Sequence, residues 1–394
     1  MKNKSIVLDL GFGDAGKGHF TNYLCSNLKG SDVGTIFNIR FSGGPQAGHT
    51  VYWKDRDRDI SHIFSSFGAG TFNPNVLTYI LPTAIVDPIC IINELDVLKT
   101  KGIDPKDVLF VIHPDTPVIT PYEVYDNRAC SQTLSRGSCG KGIRATYKRE
   151  EVSKHHILAR DFLFPRILET KLQSLKEHYY KDIPLLNLDL FFECVKKVTD
   201  FAGIEEIDLL GKICVYEGSQ GLLLDKHKGF YPNTTPSSTG IQNLNLEDHG
   251  LYYTFKDDPD HVDVYLVTRA YQTRHGNGFM TNLELEHNIK DNQYESNELN
   301  KYQGEFRKSI LDLDLLRYAI SVHHINPKLC NLVITHMDLV KNEWCFTYHG
   351  SLNRCSSEDE FVHKIQKFLG IINLYDTRNV FLSKGPYKEN IKRF

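Results

Sequence analysis

The stretch Gly11-Phe-Gly-Asp-Ala-Gly-Lys-Gly18 follows directly on an apolar run, Ser5-Ile-Val-Leu-Asp-Leu10. The run reads as a short buried strand and the glycines as a tight turn. Behind the turn Phe20, Leu24 and Leu28 recur every four residues and Gly30 stands where a C-cap belongs, which predicts an amphipathic helix. A turn that opens into a helix N-terminus presents unpaired N–H groups and a positive dipole end, which suits a polyphosphate. Lys17 adds a point charge where β- and γ-phosphates would lie. Gly18, however, stands where common phosphate loops carry a Ser or Thr for magnesium. This chain is therefore expected to hold its metal differently.

Outward from this loop, short apolar runs alternate with helical patterns. Thr35–Ile39, Asp107–Ile112, Lys212–Tyr216, Val262–Thr268 and Leu332–Thr335 read as strands. Helices are expected at Pro88–Leu98, Phe164–Leu175, Ile310–His323 and Glu358–Leu369. The last carries a capping box (Ser357, Glu360), an apolar stripe and Gly370 at its end. This alternation implies an α/β fold, a largely parallel central sheet flanked by helices. With no repeat or Pro/Gly/Ser linker to divide it, residues 1–394 are read as one domain. The polar stretch Glu284–Gln303 is expected to be a flexible surface loop.

A net charge of −3 gives no reason to expect a nucleic-acid or membrane partner. Nine cysteines, an odd number with no C-x-x-C, fit neither secretory disulfides nor zinc ribbons, so reduced thiols and a cytoplasmic location are expected. The N-terminus lacks the apolar core of a signal peptide. The most apolar stretch, Val76–Ile92, is broken by Pro82, Asp87 and Pro88 and is not expected to span a bilayer.

Two further glycine-rich segments follow apolar runs, Phe41-Ser-Gly-Gly-Pro-Gln-Ala-Gly-His-Thr50 and Tyr216-Glu-Gly-Ser-Gln-Gly-Leu-Leu-Leu-Asp225. Open α/β sheets bind ligands outside the carboxyl ends of their strands, so Asp14, His49 and Gln220 would converge there. The plainer readings are glycines serving backbone turns, a packed histidine and a loop-capping amide. A fourth segment, Ile334-Thr-His-Met-Asp338, puts a carboxylate where it could accept from guanine N1–H and the 2-amino group. Adenine lacks that donor pair. As a four-residue pattern it is weak on its own.

Taken in order along the chain, these segments resemble the adenylosuccinate synthetase family. The family's G-D-E-G-K-G corresponds to Gly13-Asp-Ala-Gly-Lys-Gly18, and its G-G-x-N-A-G-H-T to Gly43 through Thr50. Its F-E-G-A-Q-G-x-L-L-D is similar to Tyr216–Asp225, and its G-T-Y-P-x-V-T to Gly229–Thr235. Ala270–Gly278 matches A-Y-x-T-R-x-G-x-G, Thr335–Asp338 matches T-K-x-D, and Ser383–Pro386 matches S-T-G-P. The resemblance implies a P-loop-like GTP-binding ligase fold and a C–N ligase that joins IMP and aspartate, forming GDP.

It also implies roles. Asp14 would be the base at purine N1, with His49, Lys17 and Gln220 completing the catalytic set. GTP would contact Gly13, Asp14, Gly16, Lys17, Gly18, Gly48, His49 and Thr50, and its guanine Asp338, Ser383, Gly385 and Pro386. The nucleotide substrate would meet Asp14, Gln46, Ser138, Cys139, Gln220, Thr235, His275 and Gly276. Mg2+ would sit on Asp14 and the Gly48 carbonyl, which accounts for Gly18. The amino acid would be held by Arg307 and Lys308, and the enzyme would be a cytoplasmic homodimer.

The departures are equally concrete. Ala15 replaces the loop glutamate, Gln46 an asparagine, and Cys139 a phosphate-binding threonine. Where the family places an arginine from a partner subunit on the nucleotide phosphate, this chain has Ser153 and Lys154. The arginine-rich aspartate loop becomes Tyr302-Gln-Gly-Glu-Phe-Arg-Lys-Ser-Ile-Leu-Asp312. That loop favours a specialised paralogue similar to viral enzymes acting on dGMP, whereas retained Asp14 favours an IMP-like substrate. A GTP-binding sensor without ligase chemistry is the alternative from another class; Asp14 and His49 argue against it.

Overall fold

The computed structural model describes residues 4–28, 34–55, 58–129, 140–244, 262–295, 305–341, 343–371 and 379–394. Ten strands form one sheet. From edge to edge they are Ile391–Arg393, Val380–Ser383, Cys330–Thr335, Val262–Arg269, Lys4–Asp9, Ile213–Gly221, Ile36–Arg40, Val76–Ile80, Leu109–Ile112 and Gly203–Ile204. Every neighbouring pair is parallel except the outermost, Val380–Ser383 with Ile391–Arg393. The expected mainly parallel α/β sheet is what the chain builds.

Burial on both faces explains the near-continuous apolar strands. Ile6 and Leu8 pack into one core cluster with Leu266, Leu332, Leu313 and Phe361. Val7, between them, points to the other face and packs with Phe20, Leu24, Val267 and Phe381. The hairpin His49–Asp55/Arg58–Phe64 and the helices Pro88–Thr100, Pro165–His178 and Asp189–Phe201 bury a further cluster, including Phe64, Leu98, Leu168 and Phe191. Because the strands run parallel, Asp9, Arg40, Gly221, Arg269, Thr335 and Ser383 all lie at the carboxyl edge.

Strand Lys4–Asp9 lies between Val262–Arg269 and Ile213–Gly221, so the connections diverge there and leave a crevice at its end. The register against Ile213–Gly221 slips at that point: Val7 pairs with Glu217, but Asp9 pairs with Gly221. The extra residues bulge toward the crevice.

The helix expected from Ile310 instead starts at Leu313. Leu311–Asp312 is a short strand, and the Asp312 carboxylate caps the helix through the Asp314 N–H. Helix Glu358–Leu369 has the expected bounds, but only half its capping box forms. Ser357 Oγ accepts from Glu360 N at 3.1 Å, whereas the Glu360 carboxylate takes the Ser356 N–H. The first helix, Lys17–Asn27, is capped at Leu28; Gly30 lies outside the described residues. No helix among the described residues is long and apolar enough to cross a membrane, and the seven described cysteines are free thiols.

Candidate active site

Asp9 organises the loop that follows it. Its carboxylate is fully buried, accepts from Gly11 N (2.8 Å) and Ala15 N (3.0 Å), and pairs with Lys17 Nζ at 3.1 Å. Gly13, Asp14 and Gly16 all adopt positive φ. Asp14, at φ 59, is the costly one, since a side chain in this region is strained by about 1–3 kcal/mol. What holds it is Arg269, whose Nε donates to the Asp14 carbonyl at 2.6 Å. The loop sits against the end of strand Ile213–Gly221 so closely that a Cβ on Gly221 would fall 2.1 Å from Gly11 O.

His49 begins the hairpin strand His49–Asp55. Its Nδ1 meets the Glu217 carboxylate, and its Nε2 lies 3.3 Å from Ser219 O. Glu217 is itself fully buried and also accepts from Asn38 Nδ2 and Ala69 N, each at 3.0 Å. Burial raises this carboxyl, but His49, Arg40 and the Ala69 N–H outweigh it and hold the group down at about 2. For His49, burial pushes the imidazole down and Glu217 pulls it back up. The carboxylate fixes which ring nitrogen faces the ligand space.

Asp14, Lys17, His49 and Gln220 all line one cleft of about 660 Å³. Burial raises the Asp14 carboxyl, Glu295 and Asp9 push the same way, and Arg269 and Lys17 oppose them. Such a carboxylate is suited to taking a proton.

Gly16, Gly18, Gly48 and Thr50 line the same cleft, as do Asp338, Ser383, Gly385 and Pro386. Gln46, Thr235, His275 and Gly276 line it as well. Gly13 is buried behind the lining, against Gln220. Ser138 and Cys139 lie outside the described residues. A family model of adenylosuccinate synthetase matches residues 6–378.

The chain belongs to the adenylosuccinate synthetase family. This family comprises GDP-forming C–N ligases that act on small molecules and take GTP as co-substrate. The adenylosuccinate synthetase of Chlorobaculum parvum is 29% identical over 358 residues, 85% of this chain and 77% of that one. That of Francisella tularensis is 27% identical over 388 residues, 92% and 86% of the two. Two solved structures share the fold. Fully ligated adenylosuccinate synthetase from Plasmodium falciparum superposes with a TM-score of 0.75 at 17% identity, covering all of both chains. Cyanophage S-2L succinoaminodeoxyadenylate synthetase, bound to dGMP and dATP, gives 0.63 at 16%, covering 100% of this chain and 95% of that one.

Arg307 and Lys308 are not part of the cleft lining. Arg307 Nη2 donates to the carbonyls of Gly276 (2.5 Å) and Gly278 (2.8 Å), bracing the loop that does line it, and Lys308 pairs with exposed Asp291 at 2.6 Å. Residues 284–295 form the expected surface loop, mostly exposed and outside any helix or strand, and its end brings Asn292, Tyr294 and Glu295 to the cleft, where Glu295 pairs with Arg269 at 3.0 Å. Its residues 296–303 lie outside the described ones.

Glu217, Arg269, Lys141, Arg144, His19 and His336 stand in or against the site without belonging to the residues expected from the sequence. Glu217 left one signal, a lone carboxylate inside an apolar strand. His336 takes φ 57, bonds Thr335 Oγ1 through Nδ1 at 2.8 Å and is kept neutral by burial and then Arg269. His19 Nε2 lies 3.1 Å from Ser383 Oγ, tying the first helix to the last parallel strand.

Proposed function

We propose that the protein joins IMP to L-aspartate at the expense of GTP, giving adenylosuccinate, GDP and phosphate. One observation carries this reading: a carboxylate, an imidazole, an ammonium and an amide from three strand exits share one cleft.

A purine 6-oxygen leaves poorly, so it is first phosphorylated. Asp14 takes the N1 proton, negative charge moves to O6, and O6 attacks the γ-phosphorus while GDP departs. The negative phosphates, together with Glu217, favour the imidazolium form of His49, which donates Nδ1–H to Glu217 and Nε2–H to the phosphoryl oxygens, while Lys17 turns its remaining N–H groups to the phosphates. The aspartate amine then attacks C6, and the C6–O bond breaks to release phosphate. Gln220 bonds the purine edge, and Asp338, Ser383, Gly385 and Pro386 enclose the guanine. The substrate's 5′-phosphate meets Thr235 and Gln46, and by family resemblance Ser138 and Cys139 are assigned to the same group; its ribose meets the His275–Gly276 backbone. For the amino-acid carboxylate we assign Arg307, whose Nε and Nη1 make no hydrogen bond among the described residues, with Lys308 adding charge.

Asp14 and the Gly48 carbonyl are hard oxygen donors on the same cleft, a set that fits Mg2+, which otherwise takes water and phosphate oxygens. Among the described residues no cluster of three or more His, Cys, Asp or Glu competes for a metal. When bound, the ion neutralises phosphate charge. We further place the enzyme in the cytoplasm as a homodimer, by analogy with its family.

The test is a matrix of IMP, dIMP, GMP and dGMP against amino acids with GTP, read by mass spectrometry. The expected product is adenylosuccinate from IMP and aspartate. A product from dGMP alone would make this a specialised paralogue, a reading favoured by the altered 302–312 loop. GTP hydrolysis indifferent to nucleotide and amino acid would leave only a GTP-binding module.

A further inference from the structure

We infer that Arg144 supplies, from the same chain, the cation that grips the monophosphate of the nucleotide substrate, so that the site is complete without a residue from a partner subunit. The inference rests on the ligase reading above. Arg144 is the second residue of helix Ile143–Val152, and both Ile143 and Arg144 line the cleft. Its Nη2 donates to the Thr234 carbonyl at 2.8 Å, which fixes the guanidinium beside Thr235.

Lys141 is anchored in a similar way, by Nζ to the Pro45 carbonyl at 2.6 Å. Next to Pro45, both amide atoms of Gln46 are buried with no hydrogen-bond partner among the described residues. The two segments are in contact, since a Cβ on Gly44 would come within 3.1 Å of Ile143 Cδ1. Two anchored cations, an amide lacking a partner and the positive end of a helix therefore line one part of the cleft wall. That combination fits a phosphate monoester dianion.

Only the guanidinium offers a planar fork for two phosphate oxygens. Lys154 does not reach this place. It lies past the other end of the same helix, roughly 15 Å from Arg144 by helical rise, and is exposed outside the cleft.

The test uses the full chain and two probes, IMP and inosine, titrated calorimetrically into wild type, Arg144→Leu and Arg144→Lys, with melting curves confirming the fold. Losing a charge-assisted bond to phosphate should weaken IMP by about 30-fold in the Leu variant, less in the Lys variant, and leave inosine unchanged. Weakening of IMP below about 3-fold, or equal weakening of inosine, overturns the inference.

A mixing assay settles which chain contributes the residue. Arg144→Leu and Asp14→Asn proteins are combined after subunit exchange. If the arginine acted across a dimer interface, about a quarter of wild-type activity would return, which contradicts the inference; activity no greater than the sum of the two supports it. A wild type that binds IMP through Arg144 yet never ligates sinks the ligase reading alone.

Discussion

A Cβ placed on Gly18 would lie 2.5 Å from the Cβ of His49, inside any tolerable contact. The two residues come from different segments, the first turn of helix Lys17–Asn27 and the first residue of strand His49–Asp55. Their contact gives a steric reason for the glycine at the position where common phosphate loops carry a hydroxyl. The helix N-terminus is packed directly on the histidine, and Glu217 holds that histidine from its Nδ1 side.

Restoring the common loop residue should therefore harm the enzyme. Gly18→Ser is expected to push His49 away from Glu217 and lower kcat by roughly 100-fold, the cost of a displacement near 1 Å at a reacting group. Steady-state kinetics with saturating GTP and Mg2+ provide the check. An unimpaired variant would show that the contact relaxes and that His49 placement is not limiting.

Asp14→Asn removes the proposed base while keeping a side chain of the same shape on a residue that already tolerates φ 59. Turnover is expected to fall by about 10²- to 10⁴-fold, with GTP binding kept within a few-fold. Stopped-flow phosphate release and a GTP titration give the two numbers. Near-normal ligation would move the base elsewhere.

Asp338→Asn leaves a carbonyl acceptor but adds a donor toward guanine N1–H. Preference for GTP over ITP and ATP is expected to shrink by about 10- to 100-fold, as a charged hydrogen bond is lost. Competition kinetics among the three nucleotides measure it. An unchanged preference would take Asp338 out of the guanine pocket.

Glu217 gives a pH prediction with a fixed sign. Its carboxyl is held at about 2 in the folded chain against an ordinary 4.5, so between those values the unfolded state binds more protons than the native one. Its contribution to stability is present above about 4.5 and is lost as pH falls toward 2. Glu217→Gln should lower Tm at pH 7, and the gap from wild type should narrow as pH drops to 3. A gap that stays constant with pH would mean the carboxylate is not preferentially ionised in the fold. The same variant should lower kcat, because His49 loses the group that orients it.

The sequence exposed those parts of this arrangement whose signals are local. Strand Lys4–Asp9 showed as an apolar run, and the glycines of three strand exits marked where backbone meets backbone. Helix Glu358–Leu369 was bounded by its own cap residues. Arg269 and Arg144 left no such mark, because their partners, the Asp14 and Thr234 carbonyls, lie 255 and 90 residues away in the chain. Only the strand order brings them together. Glu284–Glu295 looked like solvent-exposed loop because its polarity is that of a surface. Most of it is indeed exposed, and what its polarity does not reveal is that its end meets the cleft, where Glu295 pairs with Arg269. Arg307 stood out as a cation in a depleted loop, yet its carbonyl partners at Gly276 and Gly278 could not be read from its neighbours.

In the proposed mechanism the 6-oxygen of the purine becomes an oxygen of the released phosphate. The most direct measurement is turnover of 6-18O-labelled IMP with unlabelled GTP and aspartate, followed by mass analysis of the inorganic phosphate. One labelled oxygen is expected in phosphate for each adenylosuccinate formed. Unlabelled phosphate, its fourth oxygen drawn from water, would contradict it.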